Sequence, residues 1–213
     1  MKTEDLIDLL ARQPERVPAY AAAGRLATGT LAGVTVATAL MIALLGVNSS
    51  LREFAAMPPF WLKLAFAFVL AVAASLVALR LSRPGASLGA LPAALAAPVG
   101  VMWVLAASSL ARVPPDERSA LIYGGTWVEC PLNIALLALP VFAGVAWAMK
   151  GLAPTRLRLA GAAAGLTAGA AGALVYALHC PELAVPFVGI WYVLGMLIPT
   201  ALGALIGPRL LRW

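Results

Sequence analysis

Six apolar stretches, each close to the length of a membrane-crossing helix, are separated along the chain by short polar breaks. They run from Leu26 to Val47, Phe60 to Val77, Leu88 to Leu110, Leu132 to Met149, Leu159 to Leu178 and Pro186 to Ile206. A hydrocarbon core about 30 Å thick is crossed by about 20 helical residues rising ~1.5 Å each. The pattern therefore predicts an all-α fold, a polytopic membrane protein built as a bundle of six transmembrane helices. Residues 26–213 form that domain, and residues 1–25 a polar head with a short amphipathic helix.

The breaks and small residues refine the picture. Pro92 and Pro98 in the third stretch, and Pro199 in the sixth, should kink or break their helices unless neighbouring helices cover the freed carbonyls. The fifth stretch is mostly alanine and glycine. Alanine gains little on leaving water, so this helix has a weak insertion drive and must be held by packing. Within it Gly161, Gly165 and Gly169, with Gly172 close by, form a GxxxG ridge on which another helix backbone can lie closely. Packing inside one bundle is the expected use of the ridge; a homodimer is the alternative.

Composition agrees with the pattern. Of the 213 residues 62% are hydrophobic and 11% charged, which excludes an ordinary soluble domain. The first 25 residues hold eight charges and no apolar core, so no secretory signal peptide is visible and the first span is expected to stay as an anchor. Cytoplasmic loops carry the excess of lysine and arginine. With the N-terminus inside, eleven of the 15 basic residues lie on inner segments, leaving Arg52, Lys63, Arg112 and Arg118 outside. Both termini are therefore expected in the cytoplasm. The net charge of +6 follows from this asymmetry and leaves no basic patch for direct nucleic-acid binding. Lys63 is expected to snorkel to the outer surface, and Arg25, Arg80, Lys150, Arg158, Trp61, Trp191 and Tyr192 to anchor the interfaces.

This topology puts both cysteines, Cys130 in "WVECPLNIAL" and Cys180 in "YALHCPELAV", at the outer water boundary. They flank the fourth and fifth spans, which a short inner loop joins as an antiparallel hairpin, so the thiols are expected at similar depth. Such a pair closes to a disulfide when its Cα atoms lie within about 7 Å. Three uses remain open: a permanent staple, a redox switch, or a soft-metal site in which Cys130 and Cys180 bind through thiolates with His179 or Glu129 as a further ligand. There is no CxxC, against a thioredoxin-type enzyme. The proline after each cysteine reads as a helix start or stop.

The head begins "MKTEDLIDLLARQPERVP". Thr3 reads as an N-cap, Glu4 and Asp5 as first-turn acids, Arg12 as a basic last turn and Pro14 as a stop. Leu6, Leu9 and Leu10 form an apolar stripe beside Ile7, with Asp8 and Arg12 paired on the polar face. A helix of about ten residues is marginal alone in water, so the stripe needs a surface. Its acidic first turn disfavours the anionic inner leaflet and fits a protein groove with basic edges; docking on the protein's own helices stays open. The helical face selects Asp5, Leu6, Leu9 and Leu10 as contacts.

The opening "MKTEDLIDLLA", the "YGGTWVECP" around Cys130, the "AGAAAGLTAGAAGALVYALHCPE" of the fifth span, the pair Trp191–Tyr192 and the terminal "LLRW" occur in that order. Together they resemble the NrsF family of membrane-bound anti-sigma factors of proteobacteria. The resemblance implies a bacterial inner-membrane protein whose cytoplasmic N-terminal segment holds an extracytoplasmic-function sigma factor inactive. It also implies that Cys130 and Cys180 sense a periplasmic stress, oxidant or heavy metal, with no resident cofactor.

No Asp, Glu, Lys, Arg or His falls mid-span, which argues against an ion-coupled transporter. A single histidine, and no HExxH, nucleophile elbow or phosphate loop, argue against an enzyme. Two rivals to a regulator remain. One is a small carrier or channel for a soft metal or thiol compound, with Cys130, His179 and Cys180 at its entrance. The other is a structural or assembly subunit with permanently bonded cysteines.

Overall fold

The computed structural model describes residues 3–11, 18 and 20–212, and within them Thr3–Ala11 forms the first helix, α1. Leu6 and Ile7 on it are exposed. The side chains of Leu9 and Leu10, and the expected Arg12 pairing and Pro14 stop, lie outside the described residues.

Six helices long and apolar enough to cross a membrane follow. The first is α2 (Ala21–Leu40), which runs on as a π-helical turn, Met41–Leu45. A one-turn α3 (Leu51–Phe54) leads to α4 (Pro58–Leu81) and then α5 (Leu91–Ala111). A short α6 (Arg118–Tyr123) interrupts what the sequence marks only as a loop, and α7 (Glu129–Lys150) and α8 (Leu157–Tyr176) follow. The last span begins as α9 (Val185–Phe187), widens through a π-helical turn, Val188–Tyr192, and continues as α10 (Val193–Leu210). The hydropathy pattern thus finds each span within a few residues. The expected proline breaks do not occur: Pro92 sits in the first turn of α5, where no N–H is needed, and Pro98 and Pro199 lie inside continuous helices.

Small residues dictate the packing. The helix with least to gain from lipid, α8, is the central one, with α10, α7 and α4 packed around it. A Cβ on Gly161 would strike the Gly203 carbonyl, and one on Gly165 the Pro199 carbonyl. Gly169 lies against Met196, and Gly172 against Ile134 and Ala138 of α7. The ridge is thus spent within the bundle. Helices α2 and α7 approach in the same way, Gly29 on Gly144 and Gly33 on Val141. Hydroxyls inside the spans, including Thr30, Ser75, Thr167 and Thr200, donate to the carbonyl four residues back, the local solution where no water is available.

Contacts define two ends of the bundle. At one, Arg25 donates from Nε to the Ala148 carbonyl (3.1 Å) and stacks 4.5 Å over the Trp147 ring, so it closes the C-terminus of α7 as well as marking a span end. Leu157 at the start of α8 meets Gly207 near the end of α10 there. At the other, Asn48 N–H donates to the Leu178 carbonyl (3.1 Å), tying the end of α2 to the end of α8.

Replacing Gly165 by alanine is expected to cost about 2 kcal/mol of stability through overpacking against a backbone that cannot yield. Gly100→Ala in α5, where a Cβ meets nothing within 4 Å, should be neutral or stabilise by about 0.5–1 kcal/mol. Thermal unfolding of the two variants in detergent checks the contrast, and equal effects would refute the packing described.

Candidate functional site

Each cysteine is placed by the proline that follows it. Proline cannot donate a backbone N–H, and it disfavours helical geometry in the residue before it. After Tyr176 the chain therefore leaves the helix: His179 and Cys180 N–H groups both turn back to the Tyr176 carbonyl (2.9 and 3.0 Å), and residues 180–184 run irregularly to α9. Pro131 falls in the first turn of α7, where its missing N–H leaves nothing unpaired, so Cys130 sits at a helix start.

The expected hairpin brings the two cysteines together. Both are free thiols, and their side chains are hydrogen-bonded, Cys130 donating to the Cys180 sulfur. Neither is at the water boundary, as the sequence leads one to expect: both have 0% exposure. Cys130 is among the buried residues of α7, and the 180–184 segment is bonded at Cys180 and Glu182 to Lys63 of α4. Reagents reach such thiols only through local opening.

Lys63 also departs from its expected place. It does not snorkel but is 1% exposed, with Nζ donating to the carbonyls of Cys180 (3.0 Å) and Glu182 (3.1 Å). The start of α4 and the 180–184 segment are bonded through this ammonium. Tyr192, expected as an interface anchor, is fully buried beside it; its hydroxyl makes no full hydrogen bond and faces the thiol of Cys180. Tyr176 closes the other side, between Asn133 and Cys180. The hydrogen bond from Cys130, with help from the Lys63 ammonium, holds the Cys180 thiol below its ordinary pKa, against burial, which pushes it up.

Glu182 fastens the segment from the opposite side. Its Oε1 accepts from Gly125 N–H at 2.7 Å, and Gly124, at φ +55°, has no room for a Cβ beside that carboxylate. Trp191 Nε1 donates to the Ile122 carbonyl at 2.8 Å, and the rings of Tyr123, Trp127 and Trp191 cluster around the junction. Residues 180–182 are thus a strap held by Lys63 beneath and by Gly125 across.

The auxiliary ligands are placed elsewhere. Glu129 is exposed. His179 Nδ1 donates to the Gly46 carbonyl (2.9 Å), and its own carbonyl accepts from Asn48 Nδ2 (3.1 Å), so it joins α2 to α8. Among the described residues no group of three or more His, Cys, Asp or Glu could hold a metal ion. Sequence reasoning missed Lys63, Glu182, Tyr176 and Tyr192 as parts of the site; a lone lysine within "FWLKLAF" was the available signal.

Thiol labelling in the folded protein is therefore expected to be slow, with E182A, which removes the acceptor, raising its rate about tenfold. That corresponds to losing one charge-assisted hydrogen bond of about 1.5 kcal/mol from the closed strap. Labelling with a small maleimide over time, with a denatured sample as the fully reactive reference, measures the ratio; no change would remove Glu182 from the closure.

No solved structure matches. The chain is 54% identical to the "Probable anti-sigma-F factor NrsF" of Azospira oryzae and 37% identical to the "Anti-sigma-F factor NrsF" of Caulobacter vibrioides, in each case across the full length of both proteins. The family model described as NrsF, negative regulator of sigma F, matches residues 10–213. With six apolar helices, two thiols in contact and this match over nearly its whole length, the chain belongs to the NrsF family.

Proposed function

We propose that this protein is a membrane-bound anti-sigma factor that holds an extracytoplasmic-function sigma factor through residues 1–25 and releases it when the Cys130–Cys180 pair is oxidised. The observation that carries the reading is the buried contact between two free thiols in a chain whose relatives are named anti-sigma-F factors. The excess of lysine and arginine on the segments shared by both termini favours an inner-membrane orientation with the head in the cytoplasm and the thiols facing the periplasm.

The roles divide between the two faces. In the cytoplasm, Leu6, Leu9 and Leu10 are the apolar contacts and Asp5 the acidic one, a helix-in-groove mode in which the marginal helix is completed by its partner. On the other face, a peroxide oxidises the pair. Its O–O bond breaks, the two thiols give up two electrons and two protons, and a disulfide, an alcohol or water, and water remain. A soft metal ion bridging the two sulfurs would impose a similar restraint. The stimulus acts only because the bonded state fits one arrangement of α7 and α8 better than the other.

Co-purification tests both halves. The full chain is expected to bring down a sigma factor, and the chain lacking residues 1–25 to lose it at least tenfold. Peroxide should release the partner from the wild-type protein, while C130S and C180S keep it. Unchanged partners on deletion overturn the anti-sigma reading, and equal release from the serine variants overturns the sensing half.

A further inference from the structure

Lys63 exchanges neither electrons nor protons in the oxidation above, yet it is a closely held charge in the site. Its ammonium is buried, and both of its hydrogen bonds end on carbonyl oxygens rather than on a carboxylate. A buried ammonium is costly unless its N–H groups are bonded and its charge is balanced. The carbonyls meet the first need, with the faces of Phe60 and Tyr192 at 5.8 and 5.9 Å from Nζ. For the second, the ionisable groups facing it are Cys180, Cys130 and Glu182. The Glu182 carboxylate accepts from Gly125 N–H, and with it the sulfurs of Cys180 and Cys130 are the electron-rich groups beside the charge.

That placement has a direction. In the dithiol state the sulfurs share protons and can carry negative charge; in the disulfide state they carry neither proton nor charge. A cation fixed beside them therefore favours the reduced state over the oxidised one. We propose that Lys63 is a positioning residue of this site, whose buried charge keeps the Cys130–Cys180 pair reduced at rest and sets the strength of oxidant needed to close it. The inference rests on the redox reading of that pair. Lys63 also holds the Cys180 backbone through its carbonyl, and loss of that hold alone would act oppositely: a looser Cys180 is less often near Cys130, which disfavours the disulfide. The two roles therefore differ in sign.

The test is the dithiol–disulfide equilibrium of the full-length protein in detergent, measured against mixtures of reduced and oxidised dithiothreitol at fixed pH. In each exchange the protein disulfide takes two electrons and two protons from the buffer dithiol, which closes to its own ring. Free thiols are then counted by mass-tag labelling after denaturing quench. K63M and K63Q are expected to shift the equilibrium at least tenfold toward the disulfide, about 30 mV lower in potential. K63R, which keeps the charge, should stay within threefold of wild type. No shift, or a shift toward the dithiol, overturns the proposal and leaves Lys63 a tether. If K63M does not fold, the contrast between K63Q and K63R decides. A wild-type pair that remains dithiol in the most oxidising buffer removes the sensing reading together with this inference, whereas a pair that closes normally but ignores position 63 removes the inference alone.

Discussion

A polar group placed within a layer that holds no water must find its partner in the protein, and this constraint shapes both the bundle and its site. Backbone groups are satisfied by helices. Hydroxyls such as those of Thr30 and Thr167 fold back on their own helix. Lys63 has no such local option, because an ammonium needs several acceptors at once. The carbonyls of Cys180 and Glu182 meet that need only because Pro181, by ending the helix, leaves them outside any helical ladder. The irregular strap over the thiols and the buried lysine therefore depend on each other: each supplies what the other lacks.

The same constraint explains how helices with little apolar surface hold together. Lipid chains are as apolar as leucine, so helix association rests on close contact rather than on escape from water. The ridge of Gly161, Gly165 and Gly169 places α8 against the backbone of α10, while Gly172 places its other face against α7. A helix clamped on two sides by backbone has few alternative positions, which suits it to be the fixed member against which the rest of the bundle is measured.

Spans, ridge and the meeting of the two cysteines were legible because each depends on one-dimensional information: apolar run length, residue spacing, and the parity of crossings. Burial of the thiols was not. Run length gives the depth of Cys130 and Cys180 but says nothing of which way each helix is turned, nor that Cys180 and Glu182 are bonded to Lys63. Lys63 was misread for the same reason, since a lysine three residues into a span can reach water or turn inward, and only the position of the Cys180 carbonyl decides. Glu182 lay in a segment without periodicity, and its partner is a backbone N–H, which leaves no trace in the identity of Gly125.

Magnitudes bear on what kind of event at this site could reset the other end of the bundle. Moving a two-state equilibrium from 1:99 to 99:1 requires a differential of about 5.5 kcal/mol. Rearranging one hydrogen bond of the strap supplies only about 1 kcal/mol, and reorienting an aromatic contact such as Trp127–Trp191 about the same. A covalent link between sulfurs is different in kind, because its geometry confines the two Cα atoms to within about 7 Å and excludes any arrangement that violates the limit. The link would tie α7 to the segment that follows α8, and both helices reach the opposite end beside Arg25 and Leu157, the end from which the N-terminal segment departs. Because the same two helices run from one end of the bundle to the other, the base of that segment is where a change in their relative position would be felt.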